Sequence, residues 1–242
     1  MVSPSGGGRG RGARRPICLL AGSPHGRSKG ADPVLVAALA EAGRPRPSVA
    51  YIGAASDDDR DFLRFVTASL QRSGAGEVHL AALASARADL AAAQTVIASS
   101  DLVFVSGGDV EAGMAHLERN GLVPWLKKLH GAGTPFLGLS AGSIMLARCW
   151  VRWSDPDDDT TAERFPCLAL APVLCDCHAE SDDWEELRAL LELTGEGIGY
   201  GIPAGGALRV DADGTVAALG KAAPRFECRG GRVAKRKDLT PA

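Results

Sequence analysis

The feature that most restricts the fold is a serine placed where an apolar strand-like segment changes into a helix-like segment. Residues 135–147 have the sequence PFLGLSAGSIMLA, and the pattern breaks at Gly138-Leu-Ser-Ala-Gly142. At such a junction Gly-x-Ser-x-Gly forces the serine into a tight turn, and the glycines let neighbouring backbone pass without a clash. The helix that follows points free N–H groups at charge developing beside the serine. We therefore predict that Ser140 is a nucleophile at a strand end.

The rest of the chain alternates short apolar segments with amphipathic ones, which predicts a parallel sheet with helices on both faces. In such sheets the functional site lies beyond the carboxyl ends of the strands. We expect Phe62, Phe65, Val66 and Leu70 to face inward from the second helix, and Trp184, Leu187, Leu190 and Leu191 from a late one. Strands are predicted at residues 17–21, 48–53, 77–80 and 102–105, helices at 32–42, 57–72, 85–98, 110–120 and 182–193, and an antiparallel meander at 207–210, 215–219 and 225–228.

A second strand end carries paired glycines, in Ser106-Gly-Gly-Asp109. Glycines at a strand end let a backbone N–H turn toward a ligand, which an oxyanion hole requires. We predict that the N–H groups of Gly108 and Ala141 form that hole. The same residues also fit an ordinary loop in which Asp109 caps the next helix.

A serine nucleophile needs a general base, and the chain has five histidines. His178 ends the apolar run at 168–177, and a strand there would carry it to the catalytic edge of the sheet. The other four are placed in early loops, strands or helices: His25, His79, His116 and His130. We predict that His178 is the base.

Two carboxylates are candidates for holding the imidazole in the required tautomer. Asp155 precedes Pro156 in an acidic segment, 154–159, that is expected to be a loop over the site. Glu180 lies two residues after His178, on the same side of the chain if that stretch is extended. Asp155 is favoured, and Glu180 stays open as the alternative.

Length and charge predict one α/β domain at residues 16–235, flanked by a disordered Gly/Arg-rich extension at 1–15 and a polar tail at 236–242. A net charge of −2 argues against nucleic acid or an anionic membrane as a partner. No run reaches the roughly 18 apolar residues that span a bilayer, and no secretory signal is apparent. These observations predict a cytoplasmic protein.

The six cysteines are expected to be reduced thiols in the core, because their spacing matches no secreted disulfide pattern. Cys175-Asp-Cys-His178 contains good zinc ligands. However, Cys-x-Cys places both thiols on one face of a strand, and no second Cys/His pair has zinc-site spacing. We therefore predict no metal site here.

Together, Ser106-Gly-Gly-Asp109, the Gly-Leu-Ser-Ala-Gly turn, Asp155-Pro156 and His178 resemble the peptidase E (aspartyl dipeptidase) family of serine peptidases, relatives of cyanophycinase. Residues 197–207 are similar to a glycine- and proline-containing turn of that family. The resemblance implies a three-layer α/β/α sandwich like class I glutamine amidotransferase domains, which are flavodoxin-like, with serine in place of their cysteine. By position, it implies Ser140, His178 and Asp155 as the triad.

The resemblance further implies hydrolysis of short peptides, among them those that begin with aspartate, without a cofactor. An aspartyl substrate would need a basic partner, for which Arg148, Arg152 and Arg164 lie nearby in sequence. The chain departs from the family pattern at Asp109, where asparagine is frequent, and at Ala179, where an aromatic residue is frequent. An inactive amidotransferase-like binding protein, or an esterase or amidase using the same serine, are the alternative functions.

Overall fold

The computed structural model describes residues 14–22, 30–155 and 157–241. Residues 1–13 of the predicted extension, and His25, lie outside the described residues. The architecture is α/β, with a mostly parallel central sheet and a separate, mostly antiparallel sheet formed largely by the C-terminal part of the chain, in which only β8 and β9 pair parallel. The division into one domain with two flanking segments stays a prediction.

The central sheet has seven strands in the order β11-β10-β1-β5-β4-β2-β3, of which five are parallel. The first four predicted strands and the strand before Ser140 are confirmed. Because β1, β4 and β5 are neighbours, their carboxyl ends meet at one edge. The strands are β1 Ile17–Leu20, β2 Val49–Ile52, β3 Val78–Ala81, β4 Leu102–Val105, β5 Phe136–Leu139, β10 Ala207–Val210 and β11 Val216–Leu219.

Helices cover both faces of this sheet, which gives the predicted three layers. Helices α1 and α2 pack on one face, and α3 to α6 pack on the other. Four aspartates cap helix N-termini by accepting backbone N–H groups: Asp32, Asp59, Asp89 and Asp109. The helices are α1 Pro33–Ala40, α2 Arg60–Arg72, α3 Leu90–Ser99, α4 Val110–Arg119, α5 Val123–Gly131 and α6 Ala141–Leu146.

The inward face of α2 differs from the prediction at one position. Val66 and Leu70 are buried and Phe62 packs against the same core, but Phe65 is 45% exposed. The inward stripe follows the four-residue spacing from Phe62 to Val66 to Leu70, and Phe65 is rotated about 100° from Val66. The prediction that Phe65 faces the core is therefore wrong.

The second sheet has the order β13-β12-β9-β8, and a helix, α7, packs against it. Trp184, Leu187, Leu190 and Leu191 are buried there, as predicted. A two-stranded hairpin that the sequence analysis did not predict lies beside α7. These elements are β6 Cys149–Trp153, β7 Ala162–Pro166, β8 Leu174–Cys177, α7 Glu185–Thr194, β9 Glu196–Ile202, β12 Ala223–Arg229 and β13 Arg232–Leu239.

The predicted C-terminal meander is only partly correct. Strands β10 and β11 pair antiparallel at one edge of the central sheet, but β12 pairs with β9 and β13 in the second sheet. Phe226 and Cys228 of β12 are buried beside α7, which holds the strand there. The segment predicted to be a polar tail begins inside β13, where Arg236 pairs with Glu227 of β12. Within the described part of the chain, no helix is long and apolar enough to cross a membrane.

Candidate active site

Ser140 occupies the tight turn between β5 and α6. Its backbone has φ 51° and ψ −119°, a conformation that non-glycine residues rarely adopt and that is found at strained functional sites. Its N–H donates to the Leu20 carbonyl of β1 at 2.7 Å. A Cβ atom at Gly142 would lie 2.2 Å from the Val105 carbonyl oxygen, so only glycine fits there. The turn is thus pressed between β1 and β4.

His178 lies against this serine. Its Nε2 is 2.7 Å from Ser140 Oγ, which is hydrogen-bonding distance. Strand β8 ends at Cys177, and the His178 N–H donates to the Ile202 carbonyl of β9 at 2.8 Å. His178 itself has φ 46°. The end of the second sheet therefore brings the histidine to the serine turn.

The residues that precede His178 belong to the interior. Burial raises the pKa of Cys175 and of Cys177 well above their usual value, which keeps both as thiols. Cys177 Sγ lies 3.7 Å from the Ser140 carbonyl oxygen, so its role there is packing. No group of three or more potential metal ligands occurs among the residues that the structure describes.

Asp176 is a buried carboxyl group that the sequence analysis did not consider. It is 5% exposed, and its Oδ1 accepts the Cys177 N–H at 2.7 Å. Burial, and then the nearby Glu186, raise the pKa of Asp176 to about 7. The Trp150 indole donates to Glu186. Although Asp176 is only two residues from His178, the charged group that raises its pKa most is the Glu186 carboxylate of α7.

The paired glycines lie beside the serine turn, because β4 and β5 are adjacent. A Cβ atom at Gly107 would be 3.2 Å from the Cβ of Ser140. Gly108 has φ 140° and lies so close to the Ala55 carbonyl that a side chain would not fit. Asp109 caps α4 and its N–H donates to the Ala55 oxygen.

No hydrogen bond between the described residues uses the N–H of Gly108 or of Ala141, so both amides are available to a ligand.

The two candidates for the third member are held by other groups. Asp155 is exposed in the loop that joins β6 to β7, and its Oδ1 accepts the Asp157 N–H at 3.1 Å. Glu180 starts a short 3-10 helix rather than an extended segment, and its Oε1 accepts the Ala204 N–H at 2.8 Å. Among the described residues, neither carboxylate is hydrogen-bonded to His178.

A cavity of about 280 Å³ opens beside Ser140 and His178. One wall is formed by the carboxyl ends of β1, β4 and β5, and the other by α1 and α2. Most of its lining is apolar and includes Leu20, Phe62, Val66, Phe104 and Leu139, while Asp32, Ser69 and Arg72 are among its polar members. The helical periodicity had placed Phe62 and Val66 in the core, but gave no sign that they border a cavity.

The three arginines considered as partners of an aspartyl substrate do not line this cavity. Arg152 is instead bound to Glu111 and Glu163 and lies over the Phe165 ring. Arg148 and Arg164 are exposed. None of the three arginines is therefore assigned to substrate binding.

Comparison with known proteins agrees with this geometry. The family model of Peptidase family S51 matches residues 17–217, which is most of the chain. The chain belongs to peptidase family S51. It is therefore a serine peptidase, and its resemblance to peptidase E is confirmed. No curated protein matches the sequence.

Two solved structures share the fold of this S51 peptidase. One is a peptidase from an acI-B1 Actinobacterium, with a TM-score of 0.67, 14% identity, and coverage of 94% of this chain and 95% of that one. The other is a putative peptidase E protein from Listeria monocytogenes EGD-e, with a TM-score of 0.61, 17% identity, and coverage of 86% and 98%. At these identities the likeness concerns the fold alone.

Proposed function

We propose that this S51 peptidase hydrolyses short peptides through an acyl-enzyme formed on Ser140, with His178 as the general base. The observation that carries the proposal is the 2.7 Å contact between Ser140 Oγ and His178 Nε2 at a strained strand-to-helix turn. A nucleophile and its base within hydrogen-bond reach is the arrangement that acyl transfer requires. The cavity of about 280 Å³ is at the small end of ligand sites, which favours short peptides.

In the proposed reaction, Ser140 Oγ attacks the peptide carbonyl carbon while His178 Nε2 takes the hydroxyl proton. The carbonyl oxygen becomes negatively charged and is bound by the N–H groups of Gly108 and Ala141. The C–N bond then breaks, and His178 donates the proton to the leaving amine. Water, deprotonated by His178, attacks the acyl-enzyme and releases the carboxylic acid and Ser140. Besides water, the proposed reaction uses only side chains and amides of this chain.

Asp155 is proposed as the group that orients His178, and Glu180 is the alternative. Glu180 has a structural partner in the Ala204 N–H, whereas the Asp155 loop is exposed and its contacts are local. Asp155 could therefore turn toward His178 by exchanging its contact with the Asp157 N–H for one with the imidazole. Glu180 would have to exchange its contact with Ala204 for one with the imidazole.

Asp155→Asn is expected to lower kcat by about 10²- to 10⁴-fold, because an amide favours the wrong imidazole tautomer. Glu180→Gln is expected to lower it by less than about tenfold. The measurements are kcat and its pH profile for both variants, with Asp157→Asn as the control in the same loop. A larger loss in Glu180→Gln than in Asp155→Asn would assign the role to Glu180.

The test of the proposal is covalent labelling of the wild-type protein with a fluorophosphonate, followed by peptide mapping. We expect one label per chain, on Ser140, and slower labelling when a cleaved dipeptide is present. His178→Ala should label at least about 100-fold more slowly, because the hydroxyl loses its base. A folded protein that is not labelled and cleaves no peptide would contradict the proposal and favour a binding protein. Label on another residue would remove Ser140 as the nucleophile.

A further inference from the structure

We propose that Ser106 is a positioning residue, whose hydroxyl holds the peptide unit between Gly107 and Gly108 in the orientation that points the Gly108 N–H at the oxyanion. The inference rests on the proposed function, because it requires that N–H to be an oxyanion donor. Ser106 does not line the cavity, so it acts through the backbone and not on the substrate.

The hydroxyl of Ser106 binds one end of this peptide unit. Ser106 is fully buried just after β4, and its Oγ donates to the Gly107 carbonyl oxygen at 3.2 Å. The Gly107 C=O and the Gly108 N–H belong to one planar trans peptide, so they point in opposite directions. A carbonyl held by the buried hydroxyl therefore turns the N–H away from the interior. Since both glycines line the cavity with Ser140, the N–H faces that cavity.

This peptide unit needs such a contact, because glycine lets it rotate. The backbone on either side is fixed, since the N–H groups of Ser106 and Asp109 donate to carbonyls of residues 52–55 at 3.0 and 2.7 Å. Gly108 has φ 140°, and a rotation of the peptide by about 180° brings that angle to about −40°, which glycine also adopts readily. The rotated peptide would place the Gly107 oxygen, in place of the N–H, beside the negative charge.

A second serine orients the Ser106 hydroxyl. Ser56 Oγ lies 3.3 Å from Ser106 Oγ and 3.1 Å from the Gly53 carbonyl oxygen. That oxygen already accepts the N–H groups of Ser56 and Asp58, at 2.9 and 3.0 Å, which uses both of its lone pairs. The Ser56 proton is therefore better donated to Ser106 Oγ, which leaves the Ser106 proton for the Gly107 oxygen. The two hydroxyls form a chain of hydrogen bonds that ends at the peptide unit.

Protein encloses this chain of hydroxyls. Tyr51 is fully buried beside both serines, where burial raises the pKa of its hydroxyl while the Ser106 and Ser56 hydroxyls lower it. Because Ser106 is closed off from solvent, water cannot replace the hydrogen bond that its hydroxyl would lose if the peptide rotated. Such a loss favours the observed orientation by about tenfold.

Ser106→Ala is expected to lower kcat for the fastest dipeptide by about tenfold and to leave KM unchanged, because the oxyanion exists only after attack. The deciding measurement is the ratio of the hydrolysis rates of that dipeptide and of its thioamide, which has sulfur in place of the attacked oxygen. Sulfur accepts hydrogen bonds weakly, so the thioamide depends little on the oxyanion donors. The ratio should therefore fall by about tenfold in Ser106→Ala, whatever fraction of the sample is folded.

Ser100→Ala is the matched control at the other end of β4. Ser100 is buried and its Oγ donates to the Val96 carbonyl oxygen at 2.8 Å, so this variant also removes a buried bond from a hydroxyl to a carbonyl. It should keep the wild-type kcat and ratio. Ser56→Ala should lower the ratio by about threefold, and it should add no further loss to Ser106→Ala, because it acts only through the Ser106 hydroxyl. Ser56 is half-buried, so Ser56→Ala tests the same chain if Ser106→Ala does not fold.

Failure of the inference is distinguishable from failure of the proposed function. If the fluorophosphonate labels Ser140 and wild type cleaves peptides, but Ser106→Ala keeps the wild-type ratio, the hydroxyl does not act on the oxyanion donor and only the inference is wrong. An equal loss of rate for the dipeptide and its thioamide has the same meaning, because it indicates a merely structural role. If wild type is not labelled and cleaves no peptide, the proposed function fails and the inference fails with it.

Discussion

Replacing Ser140 by alanine is expected to lower kcat/KM for peptides by about 10⁴- to 10⁶-fold and to abolish fluorophosphonate labelling. The variant removes the only protein atom that forms a covalent bond to the substrate in the proposed mechanism, and the remaining oxyanion donors give a small residual rate. The fold should be little affected, because Ser140 Oγ is bonded to His178 and its backbone contacts need no side chain. The measurement is steady-state hydrolysis of the fastest dipeptide at matched folded concentration.

Two further variants serve as controls for the loss of activity in Ser140→Ala. Ser99→Ala removes an exposed hydroxyl at the end of α3 and should retain full activity. The double variant Ser140→Ala with His178→Ala should be no slower than Ser140→Ala alone, because the base has no function without its nucleophile. Hydrolysis that survives in Ser140→Ala would show that the activity comes from another group or from a contaminant.

The serine turn and the histidine could be predicted from sequence because each depends on local pattern and strand order. Gly-x-Ser-x-Gly between an apolar strand and a helix specifies its own geometry, and His178 follows the last apolar residues of a strand. Strand β5 of the central sheet and strand β8 of the second sheet then end beside each other. The 2.7 Å contact between them is the consequence.

The second sheet could not be predicted in the same way, because its strands depend on partners distant in sequence. The hairpin of β6 and β7 is held by cross-strand contacts such as Trp150 with Phe165 and Arg152 with Glu163. Strand β9 contains three glycines, which lower strand propensity, yet Gly201 is needed where the Trp184 ring packs against the backbone. Tertiary packing outweighed local preference in both places.

The candidates for the group that orients His178 show the same limit of sequence-based prediction. The expectation for Glu180 assumed an extended chain after His178, but the 3-10 helix turns its carboxylate toward Ala204. The expectation for Asp155 came from position in the family pattern, and position does not specify where a loop carboxylate points. Periodicity likewise indicated that Phe62 and Val66 face inward, but a cavity appears only when α2 and the strands are assembled.

Gly142→Ala is expected to destabilise the protein by about 3 kcal/mol or more and to remove most activity. The added Cβ atom would lie 2.2 Å from the Val105 carbonyl oxygen and 2.6 Å from that of Ser106. Both neighbours are backbone atoms, so the contact can be relieved only by moving α6 away from the end of β4. That movement displaces Ser140 from His178 and separates Ala141 from Gly108.

The measurement is the urea midpoint of Gly142→Ala beside that of Gly131→Ala, a matched control at the last residue of α5. A Cβ atom at Gly131 meets nothing within 4 Å, so alanine there should leave stability unchanged or raise it by about 0.5–1 kcal/mol. The rate of fluorophosphonate labelling, measured on the folded fraction, then shows whether activity is lost because the protein unfolds or because Ser140 is displaced in the folded protein. A Gly142→Ala protein with the wild-type midpoint and labelling rate would show that the serine turn is not pressed against β4, and the oxyanion hole assigned to Gly108 and Ala141 would lose its structural basis.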